Sequence, residues 1–325
     1  MSSEATPDGP AEDSAPQTAR PRAVGRTGVI VSPVALDGAV FGWAAGMDET
    51  ARVLDAYTAS GGNLISTADH YAGGRSEIMI GSWLRTVRDR SRLVIETRIG
   101  RHPDAAGLSK RSMLRAVENS LTRLETDYLD FLSLDGEDSQ TPIEETLETA
   151  ARLITEGKVR FLSAARFRPE RIREIELLAK ESGVPEFSAL LVEYNLLERE
   201  RYENEIQPLA IALGRGALSR FPLAGGYLRG SYRSRDDVPH GVMFEDAARH
   251  VGRRGDRIVA ALSTVANELG ETPTSVALAW VLVKPGIASA ILRAKDVDQL
   301  DAALAALNVR LARHQVADLD RVSAS

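Results

Sequence analysis

YLDFLSLDGEDSQTPIEETLETAARLITEGKVRFLSAA, residues 128–165, holds the repeating unit from which the fold is read. Two short apolar runs, YLDFLSLD (128–135) and VRFLSAA (159–165), flank an amphipathic segment that opens on Thr-Pro and acids and closes on Gly157, as helices do. Both runs are apolar on both alternating faces, which predicts parallel strands covered by helices rather than strands with one wet face. Outward from this unit, six further runs recur at intervals of about 25 to 35 residues in most of the chain: VIVSPVALDG (29–38), NLISTAD (63–69), RLVIETRIG (92–100), FSALLVEYN (187–195), RGALSRFP (215–222) and IASAILR (287–293). Segments with helical spacing lie between them, among them DETARVLDAYTAS, RSEIMIGSWLRTV, SKRSMLRAVENSLTRL and RPERIREIELLAKESG. Eight β/α units predict an α/β fold, a single closed (β/α)8 TIM barrel, with a doubly wound open sheet as the alternative.

The rest of the composition fits that reading. The chain has 325 residues, 43% hydrophobic and 26% charged, the balance of an ordinary globular protein. Residues 1–23 are rich in Pro, Ala, Ser and acids and lack the basic start and apolar stretch of a secretory signal, so they are expected to be a disordered leader on a cytoplasmic protein, with the barrel over 24–325. No run approaches the 18 or so apolar residues of a membrane helix. A net charge of -6 offers no global basic field for nucleic acid or an anionic membrane. The absence of Cys removes disulfides, Cys-ligated metals and thiol nucleophiles, and five scattered His suggest no metal. The stretch from about Leu223 to Arg254 is long and rich in Gly and Arg, which fits a loop that covers a substrate.

In such a barrel the chemistry sits at the C-terminal ends of the strands. The second run continues as GGNLISTADHYAGGRSEIMIGSWL (61–84) and is similar to the signature of the aldo-keto reductases, G-x-N-x-x-D-T-A-x-x-Y-G-x-x-x-S-E. Collinear matches extend over about 300 residues, through GRTGVIVSPVAL, TDYLDFLSLD, GKVRFL, VEYNLLERE, FPLAGGYLRGSY, SVALAWVL and DVDQLDAAL. The resemblance implies an NADPH-dependent carbonyl reductase in which a Tyr gives the proton, a Lys and an Asp tune it, and a His helps polarise the carbonyl. Tyr71 matches the Tyr. Ser66 stands for the Asp, Arg98 for the Lys and Asp135 for the His. Arg for Lys is not conservative, because a guanidinium is bulkier and needs a different set of acceptors.

The family's nicotinamide clamp, a Ser-Asn pair and a Gln, reads here Ala165-Arg166 and Leu191. Each lost hydrogen bond leaves a buried polar group unpaired at about 1–3 kcal/mol. At the other end of the cofactor, the resemblance implies that Pro222, Leu223 and Gly226 shape the pyrophosphate loop and that Lys295 and Gln299 meet a ribose phosphate and adenine, should NADPH bind. Arg293, Asp296 and Ala303 replace a Gly, a small hydroxyl residue and an Asn there, and a carboxylate beside a 2′-phosphate is repulsive.

The candidate catalytic residues are therefore Tyr71, Asp135, Arg98, Arg166 and His70. Arg98 and Asp135 are expected on neighbouring strand ends, where two readings stand: an ion pair that plugs a dead site, or a carboxylate relocated to serve as base or to hold Arg98 against Tyr71. Arg166, with Arg98 and Arg220, suits a carboxylate or enolate; a solvent-facing Arg166 is the bland alternative. His70 is read either as a rim histidine or as an acid or base, Ser66 as a filler, and Glu77, Glu193 and Asn195 as support. Three functions follow. The favoured one is redox-neutral acid/base chemistry (dehydration, elimination, isomerisation or cyclisation) on a small oxygenated metabolite, with no cofactor. The others are NADPH-dependent reduction using Tyr71 with Arg98, and a non-catalytic binding or regulatory barrel. A small-molecule substrate is the only partner expected of the first two.

Overall fold

The computed structural model describes residues 17–232, 234–238 and 245–324. A hairpin of β1 (Arg22–Ala23) and β2 (Ile30–Val31) precedes eight strands: β3 (Val34–Asp37), β4 (Leu64–Ala68), β5 (Val94–Ile99), β6 (Leu129–Asp135), β7 (Val159–Ala165), β8 (Phe187–Glu193), β9 (Gly216–Arg220) and β10 (Ile287–Leu292). These eight pair in parallel and in chain order, and β10 closes on β3. The open doubly wound sheet is thereby excluded. Each of the eight apolar runs contains one barrel strand.

The helices follow the expected alternation: α1 (Met47–Ala59), α2 (Arg75–Leu84), α3 (Lys110–Leu124), α4 (Ile143–Thr155), α5 (Pro169–Ser182), α6 (Gln207–Leu213), α7 (Glu245–Ala248), α8 (Arg253–Leu269), α9 (Pro273–Leu282), α10 (Val297–Leu304) and α11 (Arg313–Ser323). Local chemistry fixes their ends. Ser109 and Thr272 cap α3 and α9 with side-chain oxygens, Pro273 opens α9, and Gly183, Gly214 and Gly270 close α5, α6 and α8 in the left-handed conformation.

Two apolar layers hold the barrel. One joins the outward faces of the strands to the helices, and the other fills the lumen with residues such as Leu64, Val94, Phe131, Ala189 and Leu218. Each such side chain, fully buried, contributes roughly 1.5–3 kcal/mol. The hairpin plugs the N-terminal end, its Val24 and Val31 joining the lumen cluster. Gly25 sits so close to the strand β9 entrance that a Cβ would lie 2.6 Å from the Gly214 carbonyl oxygen, and its φ of +56° suits glycine.

Of the expected leader, residues 1–16 lie outside the described residues. Residues 17–23 depart from the expectation, for they form a 3₁₀ turn and β1. Thr18 donates to the Leu307 carbonyl at 3.0 Å and Arg22 to that of Ile287 at 2.9 Å. No helix among the described residues is long and apolar enough to cross a membrane.

Candidate active site

Side chains two apart on a strand share a face, so the parity that sends Val94 into the lumen sends Glu96 and Arg98 there too. Both are fully buried. Arg98 donates from Nη2 to the Tyr71 hydroxyl at 2.5 Å and from Nη1 to Ser66 Oγ at 2.9 Å and Glu96 Oε2 at 3.3 Å. Ser66 Oγ in turn donates to Glu96 Oε2 at 2.5 Å. Asp37, at the end of β3, lies 3.7 Å from Arg98 Nη2 and 3.3 Å from Arg293 Nε. A chain of charges thus runs across the top of the lumen from Glu96 through Arg98 and Asp37 to Arg293. Burial works against the Arg98 charge, yet Tyr71, Glu96, Asp37 and Asp135 together outweigh it and raise its pKa. Burial raises Glu96 above the usual carboxylate range, opposed first by Arg98.

Tyr71 follows β4 at a sharp turn in which Ala72 takes a φ of +52°. Its ring meets His70 edge-on at 5.1 Å, and His70 Nδ1 lies 3.2 Å from Asp69 Oδ1. His70 and Tyr71 line a cavity of about 1000 Å³, together with Arg101, Arg166, Leu191 and Arg220. Arg166 directly follows β7 and adopts a φ of +61°, and Phe221 after β9 adopts +52°. Such backbone costs roughly 1–3 kcal/mol per residue and collects at sites where geometry is imposed by function. Arg166 Nη2 stands 2.8 Å from Asp135 Oδ1 and donates to the Asp135 carbonyl at 3.3 Å. Burial, then repulsion from Arg101, Arg220 and Arg98, lowers the Arg166 pKa against the pull of Asp135.

A second cavity, of about 510 Å³, abuts the first at Phe221 and Arg293. Pro222, Leu223, Gly226, Lys295 and Gln299 all line it. The loop between them turns on Ala224, Gly225 and Gly226, each at positive φ. Asp296 caps α10 by accepting from the Gln299 amide at 2.9 Å, and its carboxylate lies 3.9 Å from Lys295 Nζ. The phenyl ring of Phe221 carries two guanidiniums, Arg293 at 4.8 Å and Arg220 at 5.0 Å from its centroid.

The family model of the Aldo/keto reductase family matches residues 38–324, which include the described lining of both cavities apart from Asp37 and every strand of the barrel from β4 onward. The chain belongs to the aldo/keto reductase family. Members normally bind NADP(H), and the residues of this chain meet that group unevenly. The five residues expected at its phosphate and adenine end converge on one cavity. At the nicotinamide end, Ala165 and Leu191 are buried hydrocarbon and Arg166 is engaged with Asp135. The Asp296 carboxylate stands over the N-terminus of α10, where a phosphate would otherwise be favoured.

Several sequence expectations change in detail. Arg98 and Asp135 do not pair: Asp135 faces Arg166, and Arg98 takes Glu96, Asp37 and Tyr71 instead. The carboxylate nearest Arg98 is Glu96 on β5, with Asp37 beyond it. Asp135 is not among the described residues that line the larger cavity but lies behind Arg166. Ser66 is no filler, since it bridges Arg98 and Glu96. Glu77 does more than open α2: it is buried and accepts from Thr97 Oγ1 and Arg123 Nε, both at 2.7 Å. Asn195 supports, as expected, by donating to the Phe221 carbonyl at 2.9 Å and accepting from the Leu197 and Glu198 amides. Glu193 lines the larger cavity and pairs with Arg249. Of the long stretch 223–254, Arg233 and residues 239–244 lie outside the described residues; its two ends border the two cavities.

Proposed function

We propose that this member of the family is a redox-neutral acid/base catalyst acting on a small oxygenated metabolite. The single observation that carries the reading is the Tyr71 hydroxyl at the wall of the larger cavity, held at 2.5 Å by a guanidinium that is itself anchored by Glu96, Ser66 and Asp37. Arg98 keeps its proton, so it stabilises negative charge on the Tyr71 oxygen without competing for the proton in transit. Tyr71 is then the group that takes a proton from the carbon beside a carbonyl or returns one to the enolate oxygen. His70, in ring contact and lining the same cavity, is the second proton carrier. Asp135 positions Arg166, whose charge adds to the positive field in which the enolate forms. Dehydration, elimination, isomerisation and cyclisation beside a carbonyl each have a route through such an enolate. The lack of amide-clamping side chains at Ala165, Arg166 and Leu191 supports the redox-neutral assignment.

The convergence of Pro222, Leu223, Gly226, Lys295 and Gln299 on one cavity favours a second reading, NADPH-dependent reduction of an aldehyde or ketone with Tyr71 as acid. One pair of experiments separates the two. Purified protein is titrated calorimetrically with NADPH and NADH, and proton exchange is followed by NMR in D₂O with small carbonyl compounds such as pyruvate and dihydroxyacetone. The acid/base reading expects no cofactor binding at millimolar concentration and cofactor-independent exchange that Tyr71→Phe abolishes. Micromolar NADPH binding with NADPH-dependent carbonyl reduction establishes the second reading and overturns the first. Exchange equal in the wild type and Tyr71→Phe removes Tyr71 from the chemistry.

A further inference from the structure

The larger cavity has an electrostatic character opposite to that of the protein. The chain carries a net charge of -6, yet the cavity's described lining includes eight arginines against three glutamates. Most of these arginines are satisfied. Arg199 pairs with Glu203, Arg293 with Asp37 and Arg166 with Asp135, while Arg201 and Arg254 donate to backbone carbonyls. Arg101, Arg220 and Arg257 are different: among the described residues none makes a hydrogen bond or an ion pair, and of the three Arg101 and Arg220 stand at strand ends while Arg257 lies on α8. The two at strand ends lie on either side of Arg166, Arg101 just past β5 and Arg220 as the last residue of β9. Arg220 is held in place by stacking on Phe221, which fixes its fork without neutralising it.

Three guanidiniums that repel one another, with one half-exposed carboxylate-paired member between them, form a site that lacks its counter-charge. Tyr71 and His70 line the same cavity. We infer that Arg101, Arg166 and Arg220 form an oxyanion-binding subsite beside Tyr71, and that the substrate carries a carboxylate or phosphate group as well as its reacting carbonyl. Guanidinium forks bind either group by paired N–H donation, and their fixed planes orient it. Anchoring the charged end there sets the carbonyl end against the Tyr71 hydroxyl, converting affinity into orientation. This inference rests on the acid/base reading for the choice of the reacting group, although the subsite itself stands on the arginines alone.

The test reads binding without turnover. Full-length protein is titrated calorimetrically at low ionic strength with malonate in one arm and inorganic phosphate in the other, and the titrations are repeated with Arg220→Gln and Arg166→Gln. The subsite predicts millimolar or tighter binding of at least one probe, weakened about tenfold or more by either substitution and by raising salt to 0.5 M. The tighter arm identifies the substrate's charged group as carboxylate or phosphate. Failure of both probes to bind wild-type protein at 50 mM overturns the inference whatever the variants do, as does binding that neither substitution weakens. The two proposals fail separately: anion binding without proton exchange leaves the subsite and removes the acid/base reading. Exchange on neutral carbonyl compounds without anion binding does the reverse.

Discussion

Arg98→Met places the sharpest demand on the charge network. Arg98 and Glu96 are at most 1% exposed, so solvent screening does not reduce their interaction. The substitution roughly fills the side-chain volume but leaves Glu96 and Asp37, formerly 3.3 and 3.7 Å from the guanidinium, without their shared cation. Removing one partner of a buried pair costs about 3–5 kcal/mol, and the variant is expected to lose that much at pH 7. Its pH dependence follows from Glu96. Burial already raises this carboxyl, with Arg98 the first opposing influence, so removing Arg98 raises it further. A carboxyl whose folded pKa exceeds its unfolded value binds more protons in the native state. Stability is then greatest below the unfolded value and falls as pH rises toward the folded one, with a slope of at most about 1.4 kcal/mol per pH unit. Arg98→Met is thus expected to regain about 1–3 kcal/mol between pH 7 and pH 5, a steeper trend than the wild type shows. Adding Glu96→Gln to it removes the naked charge, and the double variant is expected to be more stable than Arg98→Met at pH 7 by more than 1 kcal/mol. Urea unfolding followed by far-UV circular dichroism at pH 5, 6 and 7 measures all of these. An Arg98→Met variant within 1 kcal/mol of wild type at pH 7, or a double variant no more stable than the single, refutes the network as described.

Tyr71→Phe is expected to slow proton exchange about 10²- to 10⁴-fold, the ordinary worth of a general acid or base, with little change in substrate affinity; steady-state rates across a substrate range check this. Asp135→Asn frees the half-exposed Arg166 from its buried counter-ion, a pairing worth about 1 kcal/mol, so phosphate affinity measured by calorimetry is expected to rise about fivefold. Unchanged or weaker binding contradicts the competition between Asp135 and a bound anion. Gly81→Ala inserts a Cβ 2.1 Å from the Arg123 carbonyl oxygen where α2 crosses the end of α3, and a loss of about 2 kcal/mol or more in urea unfolding is expected.

The barrel was legible because period and length carry it: runs apolar on both faces, alternating with amphipathic segments, have few other folds to enter. The placement of Tyr71, Arg98 and Arg166 at strand ends, and of Pro222, Leu223, Gly226, Lys295 and Gln299 around one cavity, was legible because a strand end or a loop fixes where each residue sits. The partners of those residues were not, since pairing depends on register between strands and on the reach of side chains. Asp135 and Arg98 occupy neighbouring strands, yet Arg166, one step further around the barrel, reaches Asp135 first. Residues 17–23 escaped for a related reason: composition sees a polar leader, whereas two short strands and one threonine suffice to seat it on the barrel. Glu96 did leave a signal. In VIETRI, charged residues of opposite sign stand two apart in a fully buried strand whose other residues are apolar but for Thr97, which puts them on the same side, away from water. A lone buried carboxylate is too costly to keep, so a Glu in that position implies a cation within reach, and Arg98 is the residue that parity supplies. Ser66, directly across from Glu96 on the adjacent β4, supplies the hydrogen bond that joins this carboxylate to Arg98, so the three side chains form one unit that no single position reveals.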